Sequence, residues 1–205
     1  TEVIGSEKYI DTMIEKGAKF AWFFTYMPVG VDAVPELIVS PEQREFMYNQ
    51  IRKYRQTKPI FTIDFWNDGE YVNGCIAGGR NYIHINANGD IEPCAFIHYS
   101  DTNIHEKTII DALKAPFFTQ YRLRQPFNDN HLRPCPLLDN KGVLAEMVDA
   151  SGAYSTDLKQ PEDVHSLSAK CTDAADNWAV VADRLWAATP ESKKKPKIKP
   201  VRPLE

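Results

Sequence analysis

The chain has 205 residues, of which 43% are hydrophobic and 25% charged, a composition that indicates a globular protein and excludes a wholly disordered one. No apolar run is long enough for a membrane span and no basic, apolar leader opens the chain, so we expect a cytoplasmic protein that does not bind membranes. The residues before Pro190 comprise 18 basic against 26 acidic ones, and such an acidic body is a poor partner for nucleic acid.

The first helix and the first strand are predicted between Ser6 and Tyr26. Ser6 can cap a helix whose apolar residues recur at helical spacing, and Gly17 follows where a terminating glycine is expected. Residues 19–26 then form an almost continuous apolar and aromatic run. We expect this run to be a strand buried on both faces, as strands of parallel sheets are.

A second helix and a second strand are predicted between Ser40 and residue 65. Ser40 and Gln43 have the spacing of a capping box, which predicts a helix over about 41–56. Residues 59–65 are strand-like and end at a turn signal. Because helix and strand alternate, we expect an α/β fold in which residues 1–70 form part of a β/α barrel. The chain enters this pattern without an initial Met, so we expect a fragment of a longer protein.

The pattern changes after residue 70. Residues 82–97 alternate, turn at Asn88-Gly89-Asp90 and return, which predicts a β-hairpin. Short helices are predicted at 106–114 and 116–123. A further helix is predicted near 142–151.

The last helix has the clearest periodicity in the chain. It is predicted over about 161–187, with apolar residues seven apart at Val164, Cys171, Trp178 and Leu185. We expect this stripe to pack on the body of the protein within a C-terminal helical region, residues 141–189. Residues 190–205 are basic and poor in apolar residues, which predicts a disordered tail.

Three of the four cysteines are candidate metal ligands. Cys75 precedes the predicted hairpin and Cys94 lies in its second strand, so the two thiols can lie at the same side of the hairpin base. Cys135 stands between two prolines that hold the loop extended. From this spacing alone three interpretations remain open: ordinary buried thiols, an iron-sulfur site, or a zinc site with His98 or His131 as fourth ligand.

Several stretches together resemble a known family. Cys75, thirteen residues, Gly89, four residues and Cys94 stand in this order, and they are embedded in characteristic flanking sequence. That sequence comprises residues 74–79, 84–96, 103–104, 115–118 and 132–136. The combination resembles the C-terminal auxiliary-cluster region of radical S-adenosylmethionine enzymes, of the SPASM or twitch type.

The resemblance implies that Cys75, Cys94 and Cys135 ligate an auxiliary [4Fe-4S] cluster within an iron-sulfur module at residues 71–140. Only Cys171 follows the third ligand, so the single-cluster twitch type fits better, and we expect Cys171 to be a core residue. The fourth iron position would be open, filled by substrate, or supplied by another residue.

The CxxxCxxC motif that defines radical S-adenosylmethionine enzymes is absent from this sequence. By the resemblance, the parent protein would be an oxidoreductase that uses S-adenosylmethionine and a second [4Fe-4S] cluster. Its partners would be a small-molecule or peptide substrate and a reductant protein. We expect this chain alone to be inactive. A zinc-stabilised interaction module and a metal-free α/β binding domain are the alternatives from other functional classes.

Residues close to the cysteines have predicted supporting roles. Gly78 and Gly79 would let backbone amides approach and donate hydrogen bonds to cluster sulfur. His84 and His98 are expected to be neighbours of the site rather than ligands. Basic side chains that could neutralise a cluster or a substrate carboxylate, or simply lie in solvent, are Arg122, Arg124 and Arg133.

Two strand ends supply further candidates, because α/β sheets place ligands at the carboxyl ends of their strands. They are Thr25 to Pro28 after the first strand, and Asp64 and Asp68 near the end of the second. We expect the former to be ordinary strand-end residues and the two aspartates to lie in a solvated turn.

Overall fold

The computed structural model describes residues 1–190 and Lys194; the rest of the predicted disordered tail lies outside the described residues. The helices and strands follow in chain order as α1 (Glu7–Glu15), β1 (Phe20–Phe23), α2 (Pro41–Thr57), β2 (Phe61–Asp64), α3 (Gly69–Val72), β3 (His84–Ile85), β4 (Ile91–Glu92), β5 (Tyr99–Ser100), α4 (Ile109–Lys114), α5 (Pro116–Arg124), α6 (Val143–Ser151), β6 (Tyr154–Ser155) and α7 (Val164–Ala188). Mixed helix and strand content is compatible with the expected α/β class. The domain boundaries at residues 70 and 140 stay a prediction.

The helix–strand alternation of the first segment is present, and local sequence explains it. Ser6 accepts a hydrogen bond from the Tyr9 amide at the start of α1. Ser40 and Gln43 form the reciprocal capping box at the start of α2, with Pro41 at the first helical position. Strands β1 and β2 then pair in parallel, with Phe20 opposite Phe61.

The expectation that the first strand is buried on both faces is wrong. One face of β1 packs Ala21 and Phe23 against the core that α1 and α2 cover, with Ile10 and Tyr54 fully buried there. The other face carries Phe20, Trp22 and Phe24, whose exposed fractions are 49%, 49% and 47%. Helices cover only one side of this two-stranded sheet, so the aromatic side chains on the other side stay open. We call this surface, with Phe61 and Phe65 of the β2 segment, the aromatic face.

The segment after β2 contains less strand than the pattern predicted. A single helical turn, α3, stands where no element was expected. Strands β3 and β4 pair antiparallel over only two residues each, and the second strand ends at Glu92 rather than near residue 97. Tyr99–Ser100 leaves this segment to pair with Tyr154–Ser155 as β5 and β6. This long-range pairing ties the hairpin region to the C-terminal helices.

The last helix begins three residues later than predicted. Asp163 caps α7 by accepting from the Ser166 amide, so the helix starts at Val164 and not at 161. Its apolar stripe faces inward, with Val164, Cys171 and Trp178 buried. In the part of the chain that the structure describes, no helix has both the length and the apolar character that crossing a membrane requires.

A buried ion pair connects three segments of the chain. Arg44 of α2, only 4% exposed, donates to the fully buried Asp139 at 2.5 Å and to Asn67 Oδ1 at 2.9 Å. The Arg44 guanidinium also lies 4.2 Å from the ring centroid of Trp178 in α7. The Trp178 indole in turn donates to the Leu132 carbonyl at 2.9 Å. This network fixes α2, the loop before α6 and α7 relative to one another.

Candidate metal centre

Cys75, Cys94 and Cys135 line one cavity of about 180 Å³. Cys75 comes from the loop after α3, Cys94 from the segment just after β4, and Cys135 from the loop between α5 and α6. The remaining wall is mainly apolar and includes Met27, Phe65, Trp66, Phe96, Ile97 and Tyr121. The structure thus brings the three predicted site residues together from distant parts of the sequence.

Hydrogen-bond donors face the sulfur atoms in this cavity. The Ala77 amide donates to Cys75 Sγ and the Leu138 amide to Cys135 Sγ, each at 3.4 Å. The Tyr82 hydroxyl lies 2.9 Å from Cys94 Sγ. Because thiolates accept hydrogen bonds and thiols accept them only weakly, these donors favour the deprotonated sulfur that a metal binds.

The loop that carries Cys135 is fixed by the buried ion pair. The Cys135 amide donates to Asp139 Oδ2 at 2.9 Å, while the other oxygen of Asp139 accepts from Arg44. Asn140 donates to the Cys135 carbonyl at 2.9 Å. One cysteine of the site is therefore anchored to helix α2 through Asp139.

The protein environment keeps the three thiols protonated unless a cation binds them. Burial raises the pKa of Cys75 to about 12, and the nearby Cys94 adds to that effect. Burial likewise raises the pKa of Cys94 and that of Cys135. An isolated thiolate is costly in an apolar cavity, so deprotonation here requires a positively charged group such as iron.

One orphaned polar atom supports the presence of a ligand in this cavity. Tyr121 is fully buried and lines the cavity, yet its hydroxyl has no hydrogen-bond partner. A buried hydroxyl without a partner costs free energy unless a bound group satisfies it. Together with the amide donors, this hydroxyl fits a group that carries acceptor sulfur.

The three cysteines line one cavity, but their side chains are not arranged around a single metal ion. Among the described residues, no group of three His, Cys, Asp or Glu side chains is placed to hold a single metal ion. Zinc binds every cysteine ligand at about 2.3 Å from one ion. The cysteines of an iron-sulfur cluster bind different irons and stand further apart. The finding therefore concerns single-ion sites and does not bear on a cluster.

The amide that donates to Cys75 Sγ is that of Ala77, the residue before Gly78, and not an amide of Gly78 or Gly79. Their amides donate instead to the carbonyls of Pro93 and Tyr82. Gly78 has a φ of +68°, and a Cβ there would lie 2.3 Å from the Tyr121 ring. The glycine is needed because the tyrosine packs directly on the backbone.

Replacing Gly78 with alanine is expected to lower the free energy of unfolding by about 2–5 kcal/mol, because left-handed strain and overpacking against Tyr121 add. Gly142→Ala is the matched control. Gly142 has a φ of +76°, but a Cβ at this position would meet nothing within 4 Å, so only the backbone strain of about 1–2 kcal/mol should remain. Urea unfolding of both variants measures the difference. Equal losses would contradict the steric role of Gly78.

Of the residues that the structure describes, no histidine lines the cysteine cavity. His84 Nδ1 is 2.7 Å and His98 Nδ1 3.3 Å from an oxygen of the fully buried Glu92. The hydrogen bond with Glu92 raises the pKa of His98. His131 packs its ring 5.3 Å from that of Trp186 in α7. Neither His98 nor His131 is thus placed as the fourth ligand that the zinc alternative required.

The three predicted arginines are engaged elsewhere. Arg122 donates to the Leu113 carbonyl, Arg124 to Glu146 at 2.6 Å, and Arg133 to the Asp139 carbonyl at 3.3 Å. A cation that does contact the Cys75 loop is Arg80, which donates to the Cys75 carbonyl at 2.6 Å. In the sequence Arg80 stands out only as a neighbour of two glycines, and nothing in the local pattern marks its contact with the Cys75 loop.

Asp64 and Asp68 do not lie in a solvated turn. They are 3% and 9% exposed, respectively. Asp68 Oδ2 accepts from Arg55 at 2.7 Å and from the Asp64 amide at 2.9 Å. Asp64 accepts from Asn67 at 2.7 Å. The turn after β2 is thus closed by buried polar contacts. Among the predicted residues Thr25 to Pro28 at the end of the first strand, Met27 lines the cysteine cavity.

Two tyrosines of the site were not identified from the sequence. In the sequence Tyr82 is marked only as the first residue of the predicted hairpin. Tyr121 is four residues after Phe117 on the predicted helix 116–123, so helical spacing could have identified it as inward-facing. Cys171 lies in the core on α7, and the described cavity lining does not include it.

Comparison with known proteins identifies the region. The family model of the SPASM iron-sulfur cluster-binding domain matches residues 75–136, which begin at the first candidate ligand and end just after the third. No curated protein and no solved structure matches the chain. The match covers less than one third of the chain and confirms the resemblance of this region to SPASM domains.

Proposed function

We propose that the iron-sulfur cluster-binding domain at residues 75–136 holds one auxiliary [4Fe-4S] cluster through Cys75, Cys94 and Cys135. The observation that carries this proposal is the convergence of the three thiols on a single cavity inside the matched region. Amide donors to sulfur and the unpartnered Tyr121 hydroxyl support it. When bound, such a cluster supplies one-electron transfer or an iron that binds substrate.

The second part of the proposal concerns the larger protein. We infer that this chain is the C-terminal portion of a radical S-adenosylmethionine oxidoreductase, in which the auxiliary cluster binds a small-molecule or peptide substrate or exchanges electrons. The aromatic face supports this inference. Parallel sheets are normally covered on both sides, whereas Phe20, Trp22 and Phe61 on the aromatic face are 49%, 49% and 57% exposed in the part of the chain that the structure describes. Further strands of a barrel would enclose the open side.

Anaerobic purification with iron, sulfide and zinc analysis tests the cluster proposal. We expect a brown protein with about four iron and four sulfide per chain, as the [4Fe-4S] type requires. Stoichiometric zinc without sulfide would favour the zinc-stabilised module. A protein that stays free of metal after anaerobic reconstitution with iron and sulfide would favour the metal-free α/β domain. Either of these results would overturn the proposal.

A further inference from the structure

Two tyrosines beside the cysteine site carry side-chain O–H donors. Tyr82 stands before β3, with its hydroxyl 2.9 Å from Cys94 Sγ. Tyr121 extends from α5 into the cavity wall. Tyr121 and the three cysteines line the same cavity. Each phenol carries one O–H group that can donate a hydrogen bond to sulfur.

The ring of Tyr121 is held rigidly. It makes edge-to-face contacts with Phe117 at 5.5 Å and Phe127 at 5.4 Å between ring centroids. On a third side it packs against the backbone of Gly78. The hydroxyl has no protein partner, although the residue is fully buried. Such a fixed, unsatisfied donor is unfavourable in an apolar cavity and becomes favourable when an acceptor lies beside it.

We propose that Tyr82 and Tyr121 are positioning residues for the cluster, with Tyr82 donating a hydrogen bond to the thiolate of Cys94 and Tyr121 donating to a sulfide within the cavity. The inference rests on the proposed function and adds to it the residues that set the reduction potential. A ligand thiolate has no proton to give, so the direction of the Tyr82 bond follows from metal binding. The reduced cluster is the more negative form, so donated hydrogen bonds stabilise it and raise the potential.

Anaerobic redox titration of the loaded full chain, followed by electron paramagnetic resonance, tests the proposal. Dithionite supplies one electron per cluster, and both phenolic protons stay on their oxygens. For Tyr121→Phe and Tyr82→Phe we expect the equilibrium constant for reduction to fall about tenfold each, equivalent to about 59 mV for a one-electron couple. Iron and sulfide per chain should stay at the wild-type level.

Tyr54→Phe is the matched control. Tyr54 is also fully buried and its hydroxyl donates at 2.8 Å to the Gly5 carbonyl, in the separate core beside α1. Removing the Tyr54 hydroxyl should leave the reduction potential unchanged. This result would exclude the loss of any buried hydroxyl as the cause of the shift in the other two variants.

Three results would overturn the inference. An unchanged potential in both cluster-side variants would show that the hydroxyls do not donate to the cluster. Loss of one iron per cluster in Tyr121→Phe would make Tyr121 a ligand rather than a donor. A wild-type chain that binds no iron and sulfide would overturn the proposed function and this inference together, whereas the first two results leave the proposed function intact.

Discussion

Replacing Cys94 with alanine is expected to abolish cluster loading. The substitution removes a thiolate from a site with three cysteines and leaves Tyr82 without its sulfur partner. Changes to groups outside the ligand set already cost 10–100-fold in metal affinity, so loss of a ligand should lower iron per chain by about tenfold or more. Iron and sulfide analysis after anaerobic reconstitution, with the visible absorption of the cluster, measures the effect.

Cys171→Ala provides the control for the loss of a buried cysteine. Cys171 is 1% exposed in α7, packs in the main core, and does not belong to the described cavity lining. This variant should keep its iron while losing some stability from the removed sulfur atom. Wild-type iron content in Cys94→Ala would refute the ligand assignment, and loss of iron in Cys171→Ala would show that the fourth cysteine also serves the cluster.

Removing the Arg44 side-chain charge is expected to be strongly destabilising. Arg44→Met leaves Asp139 fully buried without its ion-pair partner, and breaking a buried pair from one side costs about 3–5 kcal/mol. The contact with Trp178 and the bond to Asn67 are lost as well. Urea unfolding followed by tryptophan fluorescence measures the change in the free energy of unfolding.

Arg184→Met is the matched control, because it removes the same type of side chain from an exposed pair. Arg184 is 60% exposed and lies 2.6 Å from Glu45, so the cost should stay below about 1 kcal/mol. A double change, Arg44→Met with Asp139→Leu, should recover part of the loss because no buried charge remains unpaired. If Arg44→Met and Arg184→Met lower the free energy of unfolding by similar amounts, the buried ion pair contributes no more to stability than the exposed one.

Elements fixed by local chemistry could be predicted from sequence. The capping box of Ser40 and Gln43 specifies the start of α2 almost to the residue. The seven-residue spacing in α7 identifies the buried stripe, including Trp178. The three cysteines that line the cavity were identified by their spacing together with the family resemblance. For α2 and α7 the decisive interaction lies within a few residues or repeats regularly along the chain, whereas the cysteines, which are far apart in sequence, required the family resemblance.

Features that depend on long-range contacts could not be predicted in this way. The apolar run at β1 indicates a strand, but which face is covered depends on where α1 and α2 pack. Asp64 and Asp68 resemble turn residues locally, but Asp68 is buried against Arg55 of α2, an ion pair that the local pattern does not show. The sequence predicts that Gly78 brings backbone amides close to sulfur. The contact that requires a glycine at this position is with Tyr121, more than forty positions along the chain.

The wide separation of the cysteines along the chain has a consequence for the order of assembly. Gathering Cys75 and Cys135 in an unfolded chain means closing a loop of about 60 residues, an entropic cost of about 4 kcal/mol. Folding removes this cost in advance, because the network around Arg44 and Asp139 already holds the Cys135 loop in place. Cluster insertion should therefore follow folding, and the inserted cluster should shift the equilibrium further from the unfolded ensemble.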